Sequence, residues 1–231
     1  YKIKKKRPLL LLAFLFLTTF LTFRTFKKVN FQDISIFGSK LFSTEDIVAN
    51  SSIDFPTPLI FVRTKYIEKE LKNNLSLENI SIYRQIYPFG LKILIKTRTP
   101  IAHGEKFLDG QKITGYIDEA GFFINEKYAD NVKLKKSSTK VFGWKENFRE
   151  ILSIILSTQK NNDIEFVTID FSPNGFLTLK EKSLNTILLG FDPKKIDTQL
   201  QIIYDIKNQI KGGNILEKID IIDLTDPNNP K

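Results

Sequence analysis

The sequence predicts an α+β chain: one N-terminal transmembrane helix, a β-α-α-β-β domain, and a second β-rich domain with two helices. Three observations carry this reading. Leu9 to Phe23 is a run of fifteen residues without a charge, set between basic clusters. Between Phe31 and Pro100, two segments with helical spacing stand between runs of alternating apolar residues. Beyond Pro100, more alternating runs, punctuated by Gly, Asn and Asp, enclose two longer amphipathic segments.

The apolar run comes first. A hydrocarbon core of about 30 Å wants about 20 apolar residues. Fifteen is short, but Arg24 can snorkel and Thr25-Phe26 extends the helix, giving a span over 9–26. Residues 1–8 are a basic tail. Its Lys2, Lys4, Lys5, Lys6 and Arg7 predict an N-terminus held in the cytoplasm, with everything from about Val29 exported. A cleaved signal peptide starts the same way but ends in small residues. Here the run ends Thr22-Phe23-Arg24-Thr25-Phe26-Lys27, bulky and basic, so an uncleaved anchor is expected. A run apolar on every face at this position is not a buried core helix. Methionine is absent, so Tyr1 is not expected to be the initiating residue.

Composition narrows the function. The net charge is +9, but residues 1–30 carry eight Lys/Arg and no acid, while the other 201 residues carry 27 bases and 26 acids. The basicity is therefore a topology signal with attraction to anionic lipid, not a nucleic-acid footprint. Cysteine is absent and His103 is the only histidine, which excludes thiolate zinc sites, thiol redox chemistry and multi-histidine metal sites. An exported domain without disulfides rests on its apolar core, and about 200 residues suffice for one or two such cores.

In the first exported domain, Phe31 to Ile36 reads as a short strand ended by Phe37-Gly38-Ser39. Ser43 caps a helix whose first turn holds Glu45 and Asp46. After a loop with Pro56 and Pro58, Thr64 caps a second helix to Asn74, with Tyr66, Ile67 and Leu71 as its buried stripe. Asn79–Gln85 and Leu91–Lys96 then form a hairpin around Tyr87-Pro88-Phe89-Gly90. Two helices on one face of a three-stranded sheet make a compact unit.

These residues resemble a family. An N-terminal anchor leads into Ile36-Phe37-Gly38 and a helix opened by Ser43. The hairpin Ile82-Tyr83-Arg84-Gln85-Ile86-Tyr87-Pro88-Phe89-Gly90-Leu91-Lys92-Ile93 follows, and Arg98-Thr99-Pro100-Ile101-Ala102 closes the unit. This is similar to the POTRA domain of the FtsQ/DivIB bacterial cell-division proteins, here over 31–100. Thr97 stands where that family has glutamate, a departure at one site.

Residues 101–231 resemble the β domain of the same family. His103–Gln111 is expected to be a polar connection, and Ile113–Asp118 a strand. Tyr116-Ile117-Asp118-Glu119-Ala120-Gly121 resembles the family's Ile-Asp-x-x-Gly hairpin, with Asp118 a turn acceptor and Gly121 at positive φ. Val141-Phe142-Gly143-Trp144 precedes a helix over Asn147–Gln159, with Trp144 expected in a core or a domain interface. A strand to Phe171, a turn at Ser172–Gly175, and strands at Phe176–Lys180 and Thr186–Leu189 follow. Asp192-Pro193 opens the last helix, with Ile196, Leu200, Ile203, Tyr204 and Ile210 along it, and Lys211-Gly212-Gly213 stops it. Leu216–Leu224 reads as a last strand, its Ile219-Asp220-Ile221-Ile222-Asp223-Leu224 resembling the family's terminal motif.

No nucleophile elbow, phosphate loop or His-x-x-x-His occurs. His103 is expected to have no role, and Lys133-Leu134-Lys135-Lys136 to be a solvated loop. Three readings compete. One is a binding scaffold. Another is a membrane-anchored exported cell-wall enzyme, which would need a nucleophile with its base or a pair of tuned carboxylates. The third is a secreted module, disfavoured by the uncleavable boundary. The resemblance implies the first: a non-catalytic, bitopic scaffold in the cytoplasmic (inner) membrane. It would link early and late division proteins and regulate septal wall synthesis, with FtsB/DivIC-like and FtsL-like partners. It would need the lipid bilayer but no cofactor, metal, small-molecule substrate or nucleic acid. Members of the family bind by strand addition near the C-terminus, which uses main-chain groups for affinity. The expected surface lies within 176–224: Lys180, Lys218, Asp220, Ile221, Ile222 and Leu224, with Lys182 among the charges guarding the edge. In typical members a further strand follows the aspartate-leucine motif, whereas here Pro227 and Pro230 follow it.

Overall fold

The computed structural model describes residues 6–129, 134, 138–162, 164–171, 176–211 and 220–228. It divides into two units, Tyr1–Thr97 and Arg98–Lys231. The Arg98–Ala102 stretch, expected to close the first unit, thus belongs to the second.

In the first unit, helix α1 (Lys6–Phe26) contains the span Pro8–Phe26, with mean hydropathy 2.0 and no residue buried within the chain. Its hydroxyls are satisfied internally, as an apolar solvent requires. Thr18 and Thr19 both donate to the Leu15 carbonyl (2.9 and 2.8 Å), Thr22 to Thr18 and Thr25 to Thr22 (2.8 Å each). Lys6 and Arg7 open α1, while Lys4 and Lys5 lie outside the described residues.

Strand β1 (Lys28–Val29) follows α1 after one residue, and a 3-10 turn at Phe31–Asp33 leads into β2 (Ile34–Phe37). Then come α2 (Thr44–Ala49), β3 (Thr57–Pro58), α3 (Thr64–Asn74), β4 (Asn79–Gln85) and β5 (Gly90–Lys96). The main sheet has the order β2-β5-β4, with β2 parallel and β4 antiparallel to the central β5; β1 and β3 form a separate pair. Ile34, Ile80, Ile82, Leu91, Ile93 and Ile95 are buried, as are Ile47 of α2 and Ile67 and Leu71 of α3.

Ser43 caps α2 as expected: its hydroxyl accepts from the Asp46 amide (3.2 Å), and the Asp46 carboxylate accepts from the Ser43 amide (3.0 Å). Two expectations for α3 are corrected. Arg63 occupies the cap position and Thr64 is the first helical residue. Tyr66 is 57% exposed and lies outside the buried stripe. It sits one residue, about 100°, before Ile67, which turns it off that stripe toward solvent.

In the second unit, β6 (Pro100–Leu108), β7 (Gln111–Asp118), β8 (Phe123–Asn125), β9 (Lys140–Phe142), helix α4 (Arg149–Asn161), β10 (Phe166–Asp170), β11 (Leu177–Glu181), β12 (Asn185–Leu189), helix α5 (Pro193–Lys211) and β13 (Ile221–Asp223) follow in turn. Eight strands form one sheet in the order β13-β12-β11-β10-β9-β6-β7-β8. The stretch expected to be a polar connection is therefore a strand. β6 pairs with β7 over nearly its whole length, and half-buried His103 packs on Tyr116 at 5.4 Å. Its alternation is weak because Gly104, which is buried, offers no apolar side chain: a Cβ there would press on Ile117.

Residues of α4 and α5 pack with the inward faces of these strands around one core that includes Ile117, Trp144, Leu152, Ile155, Phe166, Leu179, Ile187 and Leu200. Trp144 donates its indole N–H to the Gly121 carbonyl (2.8 Å). Gly121 has φ +76°. Asp118 does more than cap the turn: Oδ1 accepts from the Phe122 amide (2.8 Å) and Oδ2 from buried Arg98 (2.6 Å), whose guanidinium lies 3.5 Å over the Phe122 ring. The Lys133–Lys136 run, apart from Leu134, and the turn at Ser172–Gly175 lie outside the described residues.

Candidate functional site

β13 is the terminal strand of the eight-stranded sheet. It is parallel to β12, with Ile221 opposite Thr186, Ile222 opposite Ile187 and Asp223 opposite Leu188. The ladder assigns each residue a side. The Thr186 amide donates to the Asp220 carbonyl (3.3 Å) and the Leu224 amide to the Leu188 carbonyl (2.9 Å). In a parallel ladder alternate residues bond to the same neighbour. Asp220, Ile222 and Leu224 thus turn their main-chain groups toward β12, and Ile221 turns its own outward. Among the described residues no strand pairs with that outer edge.

Side chains follow the same alternation. Ile221 is 61% exposed, while Ile222 and Leu224 are 4% and 0% exposed. Of the expected contact set, Ile222 and Leu224 are core residues whose main-chain groups turn toward β12. On the outer face, Thr168, Lys180, Thr186 and Ile221 lie in one row across four strands. Lys180, Lys182, Val167, Thr186 and Asp220 line a shallow open groove beside the edge, so Lys180 and Asp220 are brought together. Lys218 lies outside the described residues.

Buried polar residues pin the edge. Gln199 of α5, fully buried, donates to the Leu224 carbonyl (2.6 Å), and Asp223 accepts from the Thr225 amide (2.9 Å) and hydroxyl (2.7 Å). At the far end of β11, Glu181 is 3% exposed. Its Oε2 accepts from the Ser183 amide (2.5 Å) and hydroxyl (2.6 Å) and the Leu184 amide (3.0 Å), and its Oε1 from Lys207 of α5 (2.9 Å). Burial pushes the Glu181 carboxyl up, but the bonds from Ser183 and Lys207 outweigh it and hold the group below its ordinary value. Sequence reasoning missed Gln199, Glu181 and Lys207. The signal was present on α5, where Lys207 extends the apolar series Ile196, Leu200 and Ile203 at helical spacing.

No group of three or more His, Cys, Asp or Glu that could hold a metal ion occurs among the described residues.

Residues 29–98 match the model of the FtsQ-type POTRA domain. No curated protein matches the chain. A domain of this type directly behind an N-terminal apolar helix fits the FtsQ/DivIB family of bacterial cell-division proteins, and it ties the chain to septum formation.

Proposed function

We propose that this chain is a bitopic division scaffold: it crosses the cytoplasmic membrane once through α1, keeps the Lys2–Arg7 end inside, and works outside by binding other membrane proteins of the division machinery. The FtsQ-type domain match behind an apolar helix carries this reading. The captured partners are of the FtsB/DivIC and FtsL kinds, and capture links septum assembly to wall synthesis without catalysis by this chain. The outer edge of β13 supports a mode of capture. A partner strand laid beside Ile221 would take main-chain bonds from the edge, with Lys180 and Asp220 beside it for side-chain register.

Ile221→Pro tests this. The substitution deletes an outward amide and leaves the bonds of Asp220 and Leu224 to β12 in place. The full chain should stay folded by circular dichroism yet fail to co-purify its partners from membranes, whereas Ile221→Thr should retain them. A folded Ile221→Pro chain that captures partners as well as wild type would move the site off this edge. A periplasm-restricted reporter fused after Lys231 tests the orientation; a signal only from a cytoplasm-restricted reporter would overturn it.

A further inference from the structure

The junction of α1 and the first unit has no slack. α1 ends at Phe26, β1 begins at Lys28, and the Lys27 carbonyl accepts from the Leu59 amide (3.1 Å). Arg24, in the last turn of α1, donates to the Ile86 carbonyl at the β4-β5 hairpin (2.7 Å) and lies 5.4 Å from the Phe89 ring, over which Lys27 also sits at 4.5 Å. The Phe26 ring meets Phe61 edge-on at 6.3 Å. Both the hairpin tip and the Ile60-Phe61 turn are therefore held beside the last turn of the apolar helix.

What stands there is an interfacial composition. Tyr87 is 90% exposed, Phe61 64% and Ile60 43%; Phe26 meets Phe61, Arg24 and Lys27 reach the hairpin tip, and Lys28 pairs with Pro58 just before the Ile60-Phe61 turn. In water this is an exposed apolar patch. At a membrane surface, amphipathic aromatic rings settle at headgroup level and Lys/Arg meet phosphates. The anchor argues for one occupant: a helix whose apolar span ends at Phe26 brings the lipid boundary to these side chains.

We propose that Tyr87, Phe89, Ile60 and Phe61 are embedded in the outward-facing phospholipid leaflet, about 5–10 Å into the headgroup and acyl boundary. The first unit is then a membrane-interface domain fixed at one height by Arg24, not a domain on a tether. The proposal rests on α1 crossing the bilayer, and its test separates the two.

The chain has no cysteine, so single-cysteine variants of the full-length chain can carry an environment-sensitive dye. The positions are Tyr87→Cys, Phe61→Cys, Leu15→Cys in mid-anchor, and Asn79→Cys at the opposite end of the hairpin, about 20 Å from the tip. Each is placed in phosphatidylcholine/phosphatidylglycerol nanodiscs without other proteins. The dyes at 87 and 61 should emit to the blue of the dye at 79, and lipids brominated near the headgroup should cut their emission by about half while sparing 79. Lipids brominated deep in the chain should quench position 15. Quenching at 15 with water-like emission at 87 and 61 would overturn the proposal and leave the patch to a protein partner. No quenching at 15 would overturn the anchor, and this inference with it.

Discussion

Gly38 offers the sharpest test of the first unit. It lies just past β2 with φ +94°, a conformation L side chains rarely adopt. A Cβ built on it falls inside contact distance of the Ile95 carbonyl oxygen. That oxygen belongs to β5, which is hydrogen-bonded on both sides and cannot move without disturbing β2 and β4. Gly38→Ala should cost about 1–3 kcal/mol in backbone strain and a similar amount in overpacking. A total near 4 kcal/mol is a large share of the stability of a small domain, about 5–15 kcal/mol at most. Gly110 supplies the contrast. Its φ is +78° but nothing lies within 4 Å of its Cβ position, so Gly110→Ala pays the strain alone. Hydrogen exchange on the full chain in detergent reads the first unit separately: the slowest amides of β4 and β5 should exchange at least about 100-fold faster in Gly38→Ala. If their protection matched wild type, the claimed rigidity of β5 against Gly38 would be wrong.

Other outcomes follow from the buried ion pairs and from composition. Lys207→Met strands the Glu181 carboxylate and should cost about 3–5 kcal/mol, whereas Lys207→Met with Glu181→Leu should recover much of that loss, read by urea unfolding. Arg98→Ala should cost a similar amount by leaving Asp118 buried without its cation, with the β6-β7 amides losing protection. The folded-state value of Glu181 lies below its unfolded 4.5, so its contribution is complete above about pH 4.5 and disappears as pH falls through the folded value. Glu181→Gln should flatten that part of the stability–pH curve; an unchanged slope would refute the assignment. With no cysteine in the chain, reductant should leave the melting temperature unmoved.

Much of the fold was legible because local signals agreed with tertiary ones. Ser43 with Asp46, Asp192-Pro193 and the Asn79–Lys96 alternation each specify an element on their own. The misses share a cause: burial that periodicity alone does not reveal. β6 read as a connection because His103, Gly104, Glu105 and Lys106 look polar. Yet Gly104 is buried against Ile117 and Phe123, and Lys106 lies 4.5 Å from the Phe123 ring. Tyr66 reads as part of a buried stripe because spacing alone does not tell which rim an amphipathic ring takes.

The candidate edge was legible in place but not in facing. Alternation of Asp and Ile in 219–224 announces a strand and says nothing about which residues turn their amides inward. Pairing settles that. Once β12 takes Asp220, Ile222 and Leu224, only the intervening residues can offer main-chain groups outward. Ile221 therefore combines an outward amide with an exposed apolar side chain, and its neighbours Ile222 and Leu224 supply the burial that keeps the strand in register. Gln199 adds what a three-residue strand lacks: by capturing the Leu224 carbonyl from α5, it fixes the end of the edge to a helix instead of leaving it to fray. A strand this short presents few main-chain groups, so the capture proposed at β13 would draw much of its selectivity from the row Thr168, Lys180, Thr186 and Ile221 beside it. Lys180→Glu should then weaken partner co-purification without changing the fold, while the same reversal at exposed Lys160 of α4 should leave it unchanged; equal effects at both positions would place the partner elsewhere.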